Sequence, residues 1–144
     1  MRALQEQQKQ CVMVCITDQP ACNDLIAAAA AIAATRELPL VAVTVLPTGL
    51  VSEYTADRLQ TLYNIAGRHG AQLLVLFNDA PALTVAVTAR QQEAVHLVVG
   101  SPGPGSNRFI EMIKGILPEV PLTVVDKGTQ TDITFPSFSK VKNV

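Results

Sequence analysis

The sequence lacks several features that mark common classes of protein. It contains no tryptophan, only 4% of its 144 residues are aromatic, and its formal net charge is −1. Charged residues make up 16% of the chain, below the usual ~25%. Since nucleic-acid binding needs a basic surface and, for single strands, aromatic rings on which bases stack, we expect no nucleic-acid partner.

Long apolar runs are missing as well. The nearest candidate, Leu25 to Ala34, has ten residues and is mostly alanine, whereas a membrane-spanning helix needs ~18 or more. The first ten residues, MRALQEQQKQ, lack the apolar centre of a secretory signal. We therefore expect a cytoplasmic protein with no membrane partner.

Cysteine is scarce and poorly spaced for metal binding. Cys11 and Cys15 are four residues apart on one face of a predicted strand, and Cys22 follows on the next element. No histidine stands at ligand spacing from them. We interpret the three cysteines as buried reduced thiols, with a metal or redox site as the lesser alternative.

The chain instead offers five short apolar runs that alternate with segments of helical periodicity. The runs are residues 11–17, 40–46, 71–77, 94–99 and 121–125. The segments with a helical pattern are residues 20–37, 52–69, 81–93 and 109–117. Their expected buried stripes include Leu25, Ala29, Ile32 and Ala33 in the first, and Leu59, Leu62, Tyr63 and Ala66 in the second. Asn78 and Asp79 are predicted to cap the third helix.

The runs are apolar throughout rather than alternating, which is typical of parallel strands buried on both faces. The order predicts an α/β fold: a single-domain doubly wound sandwich with a five-stranded, mostly parallel sheet. We divide the chain into a polar N-terminal segment (1–10), the α/β domain (11–126) and a C-terminal tail (127–144). Within the tail, ITFPSF at residues 133–138 can add an edge strand.

A glycine-rich loop follows the fourth run. In sheets of this kind, ligands bind beyond the carboxyl ends of the strands, where the strand order reverses. A helix N-terminus after such a loop attracts anions, although Pro102 and Pro104 lack backbone N–H groups, so four of the six residues from Ser101 to Ser106 can donate. The loop is not a P-loop, a nucleophile elbow or a Rossmann dinucleotide fingerprint.

Three stretches resemble the universal stress protein (UspA-like) family and together span residues 11–126. They are VMVCITDQPACNDLIAAAAAIA, LPLVAVTVLP and HLVVGSPGPGSNRFIEMIKGILPEVPLTVVD. The first is most similar to the input domain of potassium-responsive sensor histidine kinases, through the step from Val14 to Thr17. The resemblance implies a Rossmann-like α/β fold and a role in signalling and the stress response.

Nucleotide-binding members of that family hold ATP at the ends of strands one and four with the motif G-x-x-G, nine residues, G-[S/T]. This sequence matches the motif in two halves that do not share one frame. Gly100 and Gly103 fit its start, and Gly105 and Gly115 fit its end. Ile116 stands where the family has a serine or threonine, so a hydroxyl that would contact phosphate is missing.

The first two strands offer further matches to the family. Thr17 occupies the place of an aspartate that contacts ribose, and Asp18, which follows it, either serves there or caps the first helix. Val45 matches the position whose backbone contacts adenine. Arg108 either reaches a phosphate from the first turn of the helix or is simply exposed. The resemblance thus implies ligand binding by Thr17, Asp18, Val45, Gly100, Gly103, Gly105, Ser106, Asn107, Arg108 and Gly115.

The implied ligands are ATP, ADP or another adenine nucleotide, with Mg²⁺ only alongside a nucleotide. Cyclic di-adenylate is less favoured. Input domains that bind it have two serines after the first strand and a later FTAxY stretch, where this chain has Thr17, Gln19 and LVAVT. Only Ala42 of that stretch keeps its identity.

The function we favour is a regulatory domain that binds a nucleotide or small anion. The alternative is a ligand-free dimerisation or protein-interaction module: a homodimer through the fifth strand and the tail, with a signalling protein as partner. We expect no enzyme, because no general base lies near a plausible nucleophile, although slow ATP hydrolysis with a recruited metal is an open alternative. His96 is interpreted as a strand histidine with a local partner.

Overall fold

The computed structural model describes residues 10–17, 22–49, 53–101, 107–126 and 129–133. Strands and helices alternate along them as the sequence predicts. Their order is β1 (Cys11–Cys15), α1 (Cys22–Arg36), β2 (Leu40–Leu46), α2 (Glu53–Arg68), β3 (Gln72–Phe77), α3 (Pro81–Gln91), β4 (Ala94–Gly100), α4 (Arg108–Ile116), β5 (Leu122–Asp126) and β6 (Thr129–Ile133).

The six strands form one sheet in the order β3-β2-β1-β4-β5-β6. The first five are parallel, which confirms the predicted α/β fold class. At the centre of the sheet Val14 of β1 pairs with Ala42 of β2 on one side and with Val98 of β4 on the other. The strand order therefore reverses between β1 and β4, whose carboxyl ends lie side by side.

Strands β1 to β5 contribute alternate residues to two apolar layers, as the pleat of a strand requires. In β1, Met13 lies on the side covered by α3 and α4, and Val12 and Val14 lie on the side covered by α1 and α2. All three side chains are completely buried. We call these sides the α3/α4 face and the α1/α2 face.

The helices bury the predicted stripes fully or, at Ile32 and Leu59, in part, with one exception. In α1, Leu25, Ala29 and Ala33 are buried, and the small alanines let the helix lie close to the sheet. In α2, Leu62 is buried as predicted, but Tyr63 is 51% exposed. Successive helical residues are about 100° apart around the axis, so Tyr63 turns toward solvent when Leu62 faces the sheet. No helix among the described residues is both long and apolar enough to cross a membrane.

The sixth strand lies earlier in the tail than predicted. It shares only Ile133 with the predicted strand, and residues 134–138 lie outside the described part of the chain. β6 runs antiparallel to β5, with Asp126 paired to Thr129. Two residues therefore separate the strands, a common length for a β-hairpin connection. The outer edge of β5 is covered by β6.

Candidate ligand-binding site

A cavity of about 380 Å³ lies where the strand order reverses, at the carboxyl ends of β1 and β4. Its volume falls within the ~300–1,000 Å³ typical of ligand pockets. It extends over the α3/α4 face to β2, and the first turns of α3 and α4 complete its walls. We call it the β1–β4 cavity.

The walls of the β1–β4 cavity are mainly apolar. Val45, Val99 and Phe109 line it, and Thr17 and Ser101 add polar groups where β1 and β4 end. None of the described residues that line it carries a charged side chain. The cavity therefore suits an apolar body, and an anionic part of a ligand has no charged partner among these described residues.

The start of the glycine loop is less open to an anion than its sequence suggests. The Ser101 N–H donates a hydrogen bond to the Val125 carbonyl oxygen at 2.9 Å. One of the four backbone donors expected in the loop is therefore already used. Gly100 ends β4, and a Cβ added there would lie 3.6 Å from Leu25 Cδ2, an ordinary contact. Packing at this position accordingly tolerates an alanine.

The N-terminus of α4 provides positive charge beside the loop. Asn107 is the N-cap residue, its carbonyl accepts the Glu111 N–H at 2.8 Å, and its side chain makes no capping hydrogen bond. Arg108 begins the helix and is exposed, whereas Glu111 in the same turn is acidic. The partial positive charge of the helix terminus and Arg108 together favour an anion here.

The structure brings some of the predicted ligand residues together and separates others. Thr17, Val45 and Gly100 line the β1–β4 cavity, and Asn107 and Arg108 lie at the N-terminus of α4. The predicted residues that lie outside the described part of the chain are Asp18, Gly103, Gly105 and Ser106.

Gly115 lies apart from the β1–β4 cavity and does not line it. It lies in the last turn of α4, about 10 Å along the helix from Arg108 at 1.5 Å per residue. The described chain then continues to β5 without another helix, so no helix N-terminus follows Gly115 to hold a phosphate. The nine residues between Gly105 and Gly115 include most of this helix, so the spacing in the sequence puts Gly115 far from the other predicted ligand residues.

Motif matching missed most of the wall of the β1–β4 cavity. Cys15, Val43, Val85, Val99 and Phe109 line it, and none belongs to a recognisable motif. Side chains alternate between the two faces along a strand, and this alternation puts Cys15 of β1, Val43 of β2 and Val99 of β4 on one face of the sheet. Their part in a cavity follows only once the strand order is known.

The Cys15 thiol in the wall of the β1–β4 cavity is weakly reactive. Burial raises the pKa of Cys15 to about 12, so its thiol is protonated at neutral pH and is a weak nucleophile. Burial and, to a smaller extent, the charge of Glu93 raise the pKa of Cys11 to about 11. All three cysteines are free, and the described residues hold no cluster of three metal-ligating side chains.

A polar clamp joins the loops after β2 and β3 at the same edge. Asp79 accepts hydrogen bonds from the Thr48 N–H at 3.0 Å and from the Thr48 hydroxyl at 2.9 Å. These bonds lower the pKa of Asp79 below its usual value. The predicted capping role is wrong: Asn78 accepts the Ala80 N–H at 2.8 Å, and α3 begins without a side-chain cap because Asp79 is turned to Thr48.

His96 lies away from the site and has the local partners expected of a strand histidine. Arg36 Nη1 lies 3.4 Å from its Nδ1, and Thr123 Oγ1 lies 2.8 Å from its Nε2. Because an arginine can only donate, Nδ1 accepts and a neutral His96 donates from Nε2. His96 pairs with Val12 near the start of β1, so it faces the amino half of the sheet.

No family sequence model matches the chain, and no curated protein matches it significantly. Solved structures do match it. A universal stress protein from Archaeoglobus fulgidus superposes with a TM-score of 0.64 at 16% identity, over 88% of this chain and 98% of that one. The chain has the universal stress protein fold.

Two further structures with this fold contain nucleotides. A universal stress protein in complex with cAMP gives a TM-score of 0.60 at 19% identity, over 81% of this chain and 96% of that one. The Archaeoglobus fulgidus universal stress protein in complex with dAMP gives 0.57 at 18% identity, over the same shares. At these identities the likeness establishes the fold alone.

Proposed function

We propose that this chain is a universal-stress-protein-like regulatory domain that binds an adenine nucleotide, or another small anion with an apolar body, at the carboxyl ends of β1 and β4. The β1–β4 cavity carries the proposal. It lies where ligands bind in open α/β sheets, and its volume suits a ligand of nucleoside size.

The walls of the β1–β4 cavity favour a base or a comparable ring. Val45, Val99 and Phe109 offer apolar surface, and Thr17 offers a hydroxyl at its rim. The complexes of similar structures with cAMP and dAMP support an adenine nucleotide as the first ligand to test. Val45 is the residue at which a larger side chain would fill this space.

The phosphate side favours a monophosphate over a triphosphate. The Ser101 N–H is bonded to Val125, Pro102 and Pro104 have no N–H to give, and Gly115 lies at the far end of α4. Arg108 and the N-terminus of α4 suffice for one phosphate. We therefore place AMP and its cyclic and deoxy forms ahead of ATP and ADP, and assign Mg²⁺ no role without a polyphosphate.

The test is calorimetric titration of the full chain with AMP, cAMP, cyclic di-adenylate, and ATP with and without Mg²⁺. Val45→Phe should abolish binding by filling the cavity. Leu76→Phe is the matched control, because Leu76 pairs with Val45, packs on the same face and does not line the cavity. Equal affinity in Val45→Phe and the parent chain would refute the site.

The proposal includes no catalytic step. Release of phosphate from ATP with Mg²⁺ should stay at the rate of a sample without protein, and turnover that is lost in Val45→Phe would contradict this. We further propose that the protein is cytoplasmic, that it has a signalling role, and that it is related to the input domains of potassium-responsive sensor kinases. Binding of cyclic di-adenylate in the same titrations would bear directly on that kinship.

A homodimer is the second candidate, and the position of β6 defines its form. Because β6 covers the outer edge of β5, a dimer through the fifth strand and the tail requires either exchange of β6 between protomers or pairing along the outer edge of β6. Light scattering should then give a dimer for the full chain and a monomer for a chain ending at Asp126. A monomer in both cases would contradict the dimer.

A further inference from the structure

A second cavity opens at the carboxyl edge on the opposite side of the sheet. It has a volume of about 230 Å³ and lies between the end of β2 and α2, on the α1/α2 face. We call it the α2 cavity. Its lining comprises Thr17, Thr44, Leu46, Pro47, Thr55, Arg58, Leu59 and Leu62. Only Thr17 also lines the β1–β4 cavity.

A buried hydroxyl without a partner marks the α2 cavity. Thr44 is 1% exposed, and its Oγ1 is the buried side-chain polar atom that has no hydrogen-bond partner among the described residues. Buried polar groups are nearly always paired, because an unpaired one loses its water without a replacement. Rotation by 120° about the Cα–Cβ bond of a threonine moves its hydroxyl to the place of its methyl group and the methyl to the place of the hydrogen. A ligand can therefore meet this hydroxyl without a change in the backbone.

The rest of the lining is amphipathic. Arg58 is the one charged side chain among the described residues that line the α2 cavity, and it lies on the exposed side of α2. Leu59 and Leu62 follow on the same helix, Leu62 being 2% exposed. The cavity thus passes from a cation at its mouth, along apolar side chains, to the Thr44 side chain.

We propose that the α2 cavity binds a small organic acid: its carboxylate pairs with Arg58, its apolar body packs against Leu59 and Leu62, and a polar atom at its far end hydrogen-bonds to Thr44. A guanidinium is well suited to a carboxylate. The volume lies below the ~300–1,000 Å³ of common ligand pockets, so the occupant is smaller than a nucleotide. The proposal is independent of nucleotide binding in the β1–β4 cavity.

The probe that tests this chemistry is 4-hydroxybenzoate, which carries a carboxylate and a hydroxyl at opposite ends of an aromatic ring. Benzoate lacks the hydroxyl, and phenol lacks the carboxylate. Titration of the full chain, followed by NMR, should show the tightest binding for 4-hydroxybenzoate, weaker by roughly tenfold for each relative. Absence of binding by both acids at about 10 mM would overturn the proposal.

Two variants connect the preference to the residues. Thr44→Val keeps the shape of the side chain and removes the hydroxyl, so it should make benzoate and 4-hydroxybenzoate bind equally. Arg58→Gln should weaken both acids and leave phenol unchanged, and Arg58→Lys should restore part of the binding. Arg68→Gln, an exposed arginine of the same helix away from the cavity, is the control and should change nothing.

The same titrations separate this site from its alternatives. If a water occupies the α2 cavity, Thr44→Val leaves the preference between the acids unchanged, and the proposal fails. If the acids occupy the β1–β4 cavity, Val45→Phe removes their binding, and the proposal again fails. Retention of acid binding in Val45→Phe together with its loss in Arg58→Gln supports it. None of these outcomes depends on whether AMP binds in the β1–β4 cavity.

Discussion

The two cavities at the carboxyl edge of the sheet share strand β2 and differ in chemistry. Neighbouring residues of β2 divide between them, with Val45 in the β1–β4 cavity and Thr44 in the α2 cavity. The first is larger, and none of its described lining is charged, whereas the second is smaller and includes Arg58. One strand end can therefore present an apolar wall to one face of a sheet and a hydroxyl to the other.

The difference teaches that the reversal of strand order between β1 and β4 determines where a ligand can bind but does not determine which ligand binds. The covering helices determine the chemistry. On the α3/α4 face, α3 contributes Val85 and α4 contributes Phe109, whereas on the α1/α2 face α2 contributes Arg58. Substitutions and changes of pH should show how far the two faces differ, from the largest expected effect to the smallest.

Removal of a buried side chain should destabilise either face to a similar degree. Leu97 on the α3/α4 face is 1% exposed and Ile26 on the α1/α2 face is completely buried. Leu97→Ala and Ile26→Ala should each lower the free energy of unfolding by about 2–5 kcal/mol in urea titrations. Tyr63→Ala, at a half-exposed residue, is the control and should stay near the parent value. A change below about 1 kcal/mol for one core variant would show that its face is loosely packed.

The thiols of the α3/α4 face should make stability fall at high pH. The pKa values of Cys11 and Cys15 rise from 9.0 to about 11 and about 12 in the folded chain. The unfolded chain then releases these protons first, so the stabilisation is complete below pH 9 and is lost as pH rises through the folded values. Each thiol lowers the free energy of unfolding by about 1.4 kcal/mol per pH unit above 9. Urea titrations between pH 8 and about 10.5 should show a shallower slope for Cys11→Ala/Cys15→Ala, and equal slopes would contradict the raised pKa values.

Two buried threonines of the α1/α2 face should respond in opposite directions. Thr44 has an unpaired hydroxyl, whereas the Thr123 hydroxyl lies 2.8 Å from His96 Nε2. Without ligand, Thr44→Val should raise the free energy of unfolding by about 1 kcal/mol, and Thr123→Val should lower it by about 1 kcal/mol. Calorimetric or urea unfolding measures both. Destabilisation by Thr44→Val would mean that its hydroxyl is paired in solution.

The Asp79–Thr48 clamp should give the smallest effect, because Asp79 is exposed. Its pKa, measured by NMR, should lie below 3.8, so the stabilisation is present above that pH and fades as pH falls through the folded value. Thr48→Val removes the hydroxyl bond and keeps the N–H bond. It should therefore move the pKa of Asp79 partway back toward 3.8, and no movement would exclude the hydroxyl bond.

The sequence was sufficient for most of the fold. Valine-rich runs bounded by Pro and Gly predicted the strands, and β2 begins at Leu40 and ends at Leu46 as expected. β1 ends two residues earlier than its apolar run, because Ile16 is buried beyond the last strand residue. An apolar residue in the sequence indicates burial and does not indicate strand pairing. The end of a strand is therefore predicted wrongly wherever buried residues continue beyond the last paired one.

The candidate sites were less predictable. The glycine pattern led toward Gly115, which lies at the wrong end of α4, and it passed over Phe109, which lines the β1–β4 cavity. Thr44 gave no indication at all, because a threonine in a strand is ordinary until its surroundings fail to pair its hydroxyl. Such sites depend on strand order and helix placement, which a local pattern does not contain.

The antiparallel direction of β6 has a consequence for how the domain can be joined to other proteins. β1 begins at the amino edge of the sheet, and β6 ends there too, because Ile133 pairs with Leu122. Two strands lie between β1 and β6, which puts these two points about 15 Å apart at the usual strand spacing. Both cavities open at the other edge. The unit from Cys11 to Ile133 therefore has the geometry of a domain that can be inserted into another protein. Its two chain ends would be joined at the amino edge of the sheet, and both cavities would stay open to small molecules at the carboxyl edge.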